Sequence, residues 1–259
     1  MEPKVGSFCW LELGTSDQTA AKKFYSNLFG WTAEDVPMAP DMPYTMFRQD
    51  GNDIGGAYRL MKEQVDAHVP PHWMLYVKVE SVDASAAKAV KLGGQQIVPP
   101  TDIPNAGRFA TLQDPTGAII SIFQPGQHRG MTIFGKVGAL CWADLNTKDP
   151  AAASKFYSDW LGWTFDLGKD GYRHIINGAS TEDMIGGVPP HINAPPGTPA
   201  HWMSYFHVAD CKASAAKAAQ LGASTIMPAT LMSDVGTIAV FADPQGAVFA
   251  LYQPIARES

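Results

Sequence analysis

The sequence predicts an α+β fold duplicated in tandem, and three observations point to it. Blocks from the first half return in the same order in the second. Short strand-like runs alternate with short helices of clear 3.6-residue period. The order strand, helix, strands occurs twice in each half, so each copy is expected to hold two βαβββ units with a curled mixed sheet around a groove.

The repeat is the strongest of the three. Cys9-Trp-Leu-Glu-Leu returns as Cys141-Trp-Ala-Asp-Leu, and Lys23-Phe-Tyr-Ser-Asn-Leu-Phe-Gly-Trp-Thr as Lys155-Phe-Tyr-Ser-Asp-Trp-Leu-Gly-Trp-Thr, both at an offset of 132 residues. His72-Trp-Met pairs with His201-Trp-Met at an offset of 129. Ala84-Ser-Ala-Ala-Lys, Asp114-Pro-Thr-Gly-Ala and Phe123-Gln-Pro recur in the same order. A period this long exceeds that of a solenoid, so each copy is expected to be a whole domain. We expect domains at 1–127 and 135–259, joined by a linker at 128–134.

Each element then has its own reason. Residues 7–14 alternate as a strand, with Cys9, Leu11 and Leu13 on one face and Trp10 and Glu12 on the other. A helix follows from Asp17 to Phe29. Ala20, Phe24 and Leu28 form its buried stripe, Asp17 caps it and Gly30 stops it. In the second copy Asp149-Pro150 makes the same start. Strand-like runs follow at Tyr44–Gln49 and Ile54–Leu60. The second unit reads as a strand at His72–Val79, a helix at Asp83–Leu92, and strands at Phe109–Gln113 and Ala118–Phe123 around an Asp114-Pro-Thr-Gly turn.

Composition narrows the function. The chain has 259 residues, 46% hydrophobic and 17% charged, with a formal net charge of −6, which describes a packed globular protein. Without a Lys/Arg cluster, nucleic acid and anionic membranes are poor partners. No apolar run reaches the roughly 18 residues of a membrane span, and the first residues do not read as a signal peptide. The three cysteines, Cys9, Cys141 and Cys211, have neither disulfide nor zinc spacing and are expected to be buried thiols in a cytoplasmic protein. No nucleotide-binding or serine-hydrolase motif is present.

The segments AAKKFYSNLFGWT and RFATLQDPTGAIISIFQP, each repeated in the second half, resemble the glyoxalase/bleomycin-resistance/dioxygenase (vicinal oxygen chelate) superfamily. The resemblance covers nearly the whole chain and implies tandem duplicated glyoxalase-like domains. Its metal enzymes place His, Gln or Glu on the first strand of a unit and Glu on the last. Aligned on the helix starts, those positions here hold Trp10, Met74, Ser121 and Ala57, and in the second copy Trp142, Met203, Ala250 and Val188. Indole, alkyl and thioether groups do not suit a hard divalent ion. We therefore expect no metal and no cofactor, with a divalent metal held through His72 or His201 as the alternative. Those two histidines could also hydrogen-bond or stack at a pocket mouth, or be purely structural.

The same strand parity places Glu12 and Asp144 beside Trp10 and Trp142. A desolvated carboxylate there could act as a general base, or it could serve only as an ion-pair or capping group. Met74 and Tyr76 share the His72 face, as Met203 and Tyr205 share that of His201. With Ser121 they would line a flat apolar slot for an aromatic ligand, unless they are plain core. Trp73, Trp202, Phe24, Tyr25, Phe156 and Tyr157 read as packing. Arg108, whose counterpart is Thr237, reads as surface charge or one-sided ligand chemistry. Proline-rich loops lead into both histidines, at 65–71 and 189–199, and read as stiff connectors or groove rims. Three functions remain open: a protein that binds or sequesters a small molecule in a metal-free groove; a lyase or hydroxylase/dioxygenase-type enzyme using His72/His201 or Glu12/Asp144; or a scaffold. In each the duplication is expected to make an internal pseudo-dimer that acts as a monomer.

Overall fold

A computed structural model describes residues 2–39, 42–191 and 197–255. Part of the second proline-rich loop, 192–196, lies outside the described residues. The first copy contains β1 (Phe8–Thr15), α1 (Gln18–Phe29), β2 (Thr32–Ala39), β3 (Met42–Gln49), β4 (Asn52–Arg59), a short α2 (Lys62–Asp66), β5 (His72–Lys78), α3 (Val82–Lys91), β6 (Gln95–Ile103), β7 (Gly107–Gln113) and β8 (Ile119–Pro125). The second contains β9 (Leu140–Asn146), α4 (Pro150–Leu161), β10 (Thr164–Leu167), β11 (Arg173–Ile176), β12 (Met184–Val188), β13 (His201–His207), α5 (Cys211–Gln220), β14 (Ser224–Met232), β15 (Gly236–Ala242) and β16 (Val248–Pro254). This is the βαβββ order four times over. No helix among the described residues is long and apolar enough to cross a membrane.

Each copy builds one eight-stranded mixed sheet. The strand orders are β2-β3-β4-β1-β5-β8-β7-β6 and β10-β11-β12-β9-β13-β16-β15-β14. Within every βαβββ unit the first and last strands run parallel, and the remaining pairs are antiparallel. The strands that sequence periodicity does not reveal, β2, β6, β10 and β14, are all sheet edges. β6 and β14 are mostly exposed on both faces and contain proline, so the inside–outside alternation is absent.

The helices start and stop as their caps dictate. The Asp17 carboxylate accepts from Ala20 N at 2.9 Å, and Gly30 closes α1 at φ 79°. Asp149 and Gly162 (φ 77°) do the same for α4, with Pro150 in the first turn. The buried stripe of α1 needs one correction. It is Ala21, Phe24, Tyr25 and Leu28, while Ala20 is only half-buried. The stripe is centred on Tyr25, whose hydroxyl has a buried partner described below.

Packing divides the chain into two compact units. One comprises Met1–Trp10, Met74–Gly130 and Trp142–Met203; the other comprises Leu11–Trp73, Met131–Cys141 and Ser204–Ser259. Sheets follow the repeats, whereas each compact unit combines the first βαβββ of one repeat with the second of the other. In the first unit Tyr157 of α4 is fully buried. Its hydroxyl donates to Asp114 Oδ2 (3.0 Å) and accepts from Trp202 Nε1 (3.1 Å). Trp163 stacks on Tyr157 at 5.3 Å and donates to the Gly6 carbonyl at 2.7 Å. In the second unit Tyr25 donates to Asp243 Oδ2 (2.9 Å) and accepts from Trp73 (2.9 Å), while Trp31 donates to the Gly138 carbonyl (2.8 Å). The FYxxxxGW and DPxG blocks are therefore one device: the Tyr of one repeat bonds the turn Asp of the other. Burial pushes both phenols well above their ordinary pKa, so they act as hydrogen-bond donors. It also raises the Asp243 carboxyl.

The segment between the sheets is packed as well. Gly130 lies close against the Cys9 carbonyl, and Met131 is buried.

Candidate ligand-binding site

In the first unit Trp10 is buried and meets the His128 ring edge-on, with centroids 4.7 Å apart. Tyr76 of β5 is register partner to Ser121 of β8, which in turn partners Thr111 of β7. The Ser121 and Thr111 hydroxyls are hydrogen-bonded at 2.8 Å. The Tyr76 ring lies 6.2 Å from that of Phe109. Met74, two residues before Tyr76 on β5, is half-buried. Predicted positions Trp10, Met74, Tyr76 and Ser121 thus fall in one unit with aromatic and hydroxyl neighbours.

In the second unit Leu60, Tyr58 and His72 meet at Gly14, two residues beyond Glu12 on β1. Glu12 of β1 is register partner to Gly56 of β4, and the Tyr44 hydroxyl sits where a Cβ at Gly56 would be. A Cβ at Gly14 would lie 3.0 Å from the Tyr58 hydroxyl and 3.1 Å from His72 Cε1, so a larger residue there would push these side chains back by a few tenths of an ångström. Gln64 donates to the Tyr58 hydroxyl at 2.8 Å. Burial, and then the Glu12 charge, push the Tyr58 phenol up to about 12. His72 Nδ1 lies 2.8 Å from the Pro70 carbonyl. A carbonyl can only accept, so Nδ1 carries the proton and Nε2 is left as an acceptor. Burial lowers the His72 pKa, which favours this neutral form. His201 makes the same bond to the Pro199 carbonyl at 2.9 Å. The prolines before both histidines thus fix their tautomer.

The second copy shows what became of Asp144. It is buried, and Oδ1 accepts from Trp142 Nε1 (3.0 Å) and from the Tyr172 hydroxyl (2.5 Å). Trp142 Nε1 also reaches the Tyr172 oxygen at 2.9 Å. His174 stands edge-on to Tyr172 (4.9 Å) and Trp142 (6.4 Å). All four belong to the first unit, as does the buried Met203. Tyr205 belongs to the second unit, half-buried, as register partner of Ala250. Sequence reasoning placed Trp142 and Asp144 together but missed Tyr172 and His174. Tyr44 and Tyr172 occupy matching places over Gly56 and Gly187 and could have been found as a repeated Tyr; His174 is matched by Met46 and gave no such signal.

The donor set at the superfamily's metal positions does not fit a divalent ion. Trp10, Met74, Trp142, Met203 and Ala250 offer no hard donor, and the Ser121 hydroxyl is engaged by Thr111. Among the described residues no group of three or more His, Cys, Asp or Glu could hold a metal ion. Arg108 is held by Asp83 (2.8 and 2.9 Å) and Asp102 (2.8 Å), ion pairs with exposed carboxylates. Trp73 and Trp202 pack against the buried tyrosines as expected.

Comparisons with known proteins agree with this architecture. Residues 7–122 match the model of the glyoxalase/bleomycin resistance protein/dioxygenase superfamily, and residues 142–252 that of a glyoxalase-like domain. A Mycobacterium bovis protein named "Putative glyoxylase CFP32" is 36% identical over 260 residues, covering 99% of this chain and 98% of that one. The anthracycline biosynthesis protein DauV of Streptomyces sp. (strain C5) is 30% identical over 267 residues, covering 96% and 93%. Among solved structures, a Mn(II)-bound glyoxalase from Novosphingobium aromaticivorans superposes with a TM-score of 0.65 at 16% identity, covering 98% of this chain and 83% of that one. The 2,3-dioxygenase LapB from Pseudomonas sp. KL28 gives 0.66 at 11% identity, covering 100% and 96%. At those identities the two structures speak to fold alone. The two family models and the full-length relatives place the chain in the glyoxalase/bleomycin resistance protein/dioxygenase superfamily, to which it belongs.

Proposed function

We propose that the chain binds a small, partly aromatic or carbonyl-containing molecule at the faces carrying Trp10 and Trp142, without a metal at the superfamily's usual positions. One observation carries this reading. At the positions aligned with the metal enzymes' donors stand Trp10, edge-on to His128, and Trp142, bonded to Asp144 and Tyr172, a composition that suits stacking a ring and orienting it with few polar groups. The relative named for anthracycline biosynthesis makes polycyclic aromatic ketones the first compounds to test. Sequestration or detoxification suits such binding. In this reading the duplicated chain supplies both copies itself, works in the cytoplasm, and requires neither nucleic acid nor membrane.

A second reading, a lyase or hydroxylase/dioxygenase-type enzyme, is favoured by the tautomer lock on His72 and His201. Each offers Nε2 as a proton acceptor, and Glu12 and Asp144 provide carboxylates near neighbouring phenols.

Tryptophan fluorescence titration with polycyclic aromatic ketones and aromatic aldehydes tests the first reading. Trp10→Ala or Trp142→Ala should weaken the best compound by about 1–3 kcal/mol. Unchanged affinity in both variants for every compound that binds would replace the binding reading with the scaffold one. Turnover of a bound compound by metal-free protein would move the assignment to the enzyme.

A further inference from the structure

The two sheets end on matching strands that differ in how they are protected. Among the described residues β6 and β14 each pair with a single neighbour, so each leaves one edge of its sheet open. Such an edge offers unpaired backbone donors and acceptors to any other strand. β6 carries defences against this. Pro99 and Pro100 both lack an N–H, and the exposed Asp102 is bonded to Arg108, which also holds Asp83. β14 has lost most of them. Ala229 stands at the place of Pro100, Leu231 at that of Asp102 and Thr237 at that of Arg108, and no residue of 224–232 is charged. Leu231 is 70% exposed. Met232, Val235 and Ile255 are exposed beside it, since Val235 N donates to the Met232 carbonyl and Ile255 N to the Val235 carbonyl. Ala106 and Gly126, the counterparts of Val235 and Ile255, bring one methyl group and no side chain.

We propose that β14 is the surface through which two copies of this chain dimerise, edge to edge about a two-fold axis near Leu231. The inference goes beyond the ligand-binding reading, and it replaces the monomer expected from the duplication. Charge argues for a second copy over any other partner. In an antiparallel two-fold pair each residue near the axis meets its own counterpart. At β6 that would set Asp102 against another Asp102, whereas at β14 it sets Leu231 against Leu231. A like charge on the axis bars self-pairing while leaving other partners open, and it is this bar that β14 lacks. The nearest charge along the chain, Asp234, lies three residues from Leu231, so the two Asp234 carboxylates stand about 20 Å apart, beyond a Debye length of about 8 Å. Area argues the same way. The four side chains at the hairpin end and Ile226, 51% exposed, put a few hundred Å² of apolar surface along β14. Doubled across the axis, with the nine-residue strand of each copy, the contact reaches on the order of 1,000 Å², the lower bound for a specific interface. An isologous pair of this kind uses up both edges and stops at two copies.

Sedimentation velocity of the full chain from about 1 to 200 μM spans the micromolar affinity of an interface this small. The parent should pass from monomer to dimer across that range. Leu231→Asp, which restores the first-copy residue, should weaken dimerisation at least about a hundredfold, because two leucine contacts are lost and two like charges meet. Leu231 is mostly exposed, so the melting temperature of this variant at low concentration should stay near that of the parent. Val235→Lys should weaken the dimer in the same way and serves if the first variant misfolds. Ile97→Asp, at the position of β6 that matches Ile226, should leave dimerisation unchanged. A parent that stays monomeric throughout overturns the proposal; if it then sediments with phosphatidylcholine vesicles, the patch belongs to a membrane instead. A dimer that survives both Leu231→Asp and Val235→Lys, or that Ile97→Asp also dissociates, overturns it as well.

Discussion

Replacing Tyr157 by Phe removes one oxygen atom and tests the link between the repeats inside one compact unit. The Tyr157 hydroxyl is fully buried, donates to Asp114 Oδ2 at 3.0 Å and accepts from Trp202 Nε1 at 3.1 Å. Without it a buried indole N–H and a buried carboxylate oxygen each lose this partner. Asp114 Oδ1 keeps its bonds to Thr116 N and Ala118 N, so the turn survives and the loss stays local. Each orphaned group costs about 1–3 kcal/mol, and the ring itself still packs. A total of about 2–6 kcal/mol follows, or a fall in Tm of about 4–24 °C for a chain of this size. Thermal unfolding followed by circular dichroism measures it. The half-buried Tyr252, whose hydroxyl donates to the Val235 carbonyl at the surface, serves as comparison, and Tyr252→Phe should cost about 1 kcal/mol or less. A Tyr157→Phe protein as stable as its parent would refute the claim that this hydroxyl joins the two repeats.

Two further outcomes follow from burial. Desolvation lowers the pKa of His72 in the folded chain, so the unfolded chain takes up its proton first as pH falls. The contribution of His72 to stability should be complete above about pH 6.5 and should decline as pH drops towards the lower folded value; urea titrations between pH 7.5 and 5 should show that slope reduced in His72→Gln. Cys9 is fully buried with its thiol pKa raised, and burial pushes Cys141 up to about 12, so neither should react with a thiol reagent at pH 8 until the chain unfolds. Stoichiometric labelling of Cys9 in native protein, read by peptide mass, would contradict the packing around β1.

What the sequence disclosed depended on how each constraint is written into it. Caps such as Asp17 and Asp149 and the stops at Gly30 and Gly162 are local, and they proved legible to within a residue or so. The edge strands β6 and β14 were not, because exposure on both faces erases the alternation that marks a half-buried strand. Trp142 and Asp144 could be placed side by side from strand parity, and the structure joins them by a hydrogen bond. Tyr172, just before β11, and His174, within it, reach the same place from elsewhere in the chain, and no sequence spacing connects them to Trp142. The pairing of Tyr25 with Asp243 was equally hidden. A repeat shows that two copies are alike, and says nothing about which copy's tyrosine meets which copy's aspartate.

That exchange has a consequence for the order in which the protein can be made. Tyr25 waits for a partner 218 residues further along the chain. The compact unit that contains it includes residues 204–259, and the other extends to Met203. On a ribosome the first copy can therefore pair its strands, yet the aromatic face of α1 stays uncovered until most of the second copy has emerged. Contacts so distant in sequence make for slow closure and a long interval in which apolar surface is exposed. Such a nascent chain depends on chaperone protection more than a tandem of self-contained domains of equal length would, and its yield should respond to translation speed in the second half more than in the first.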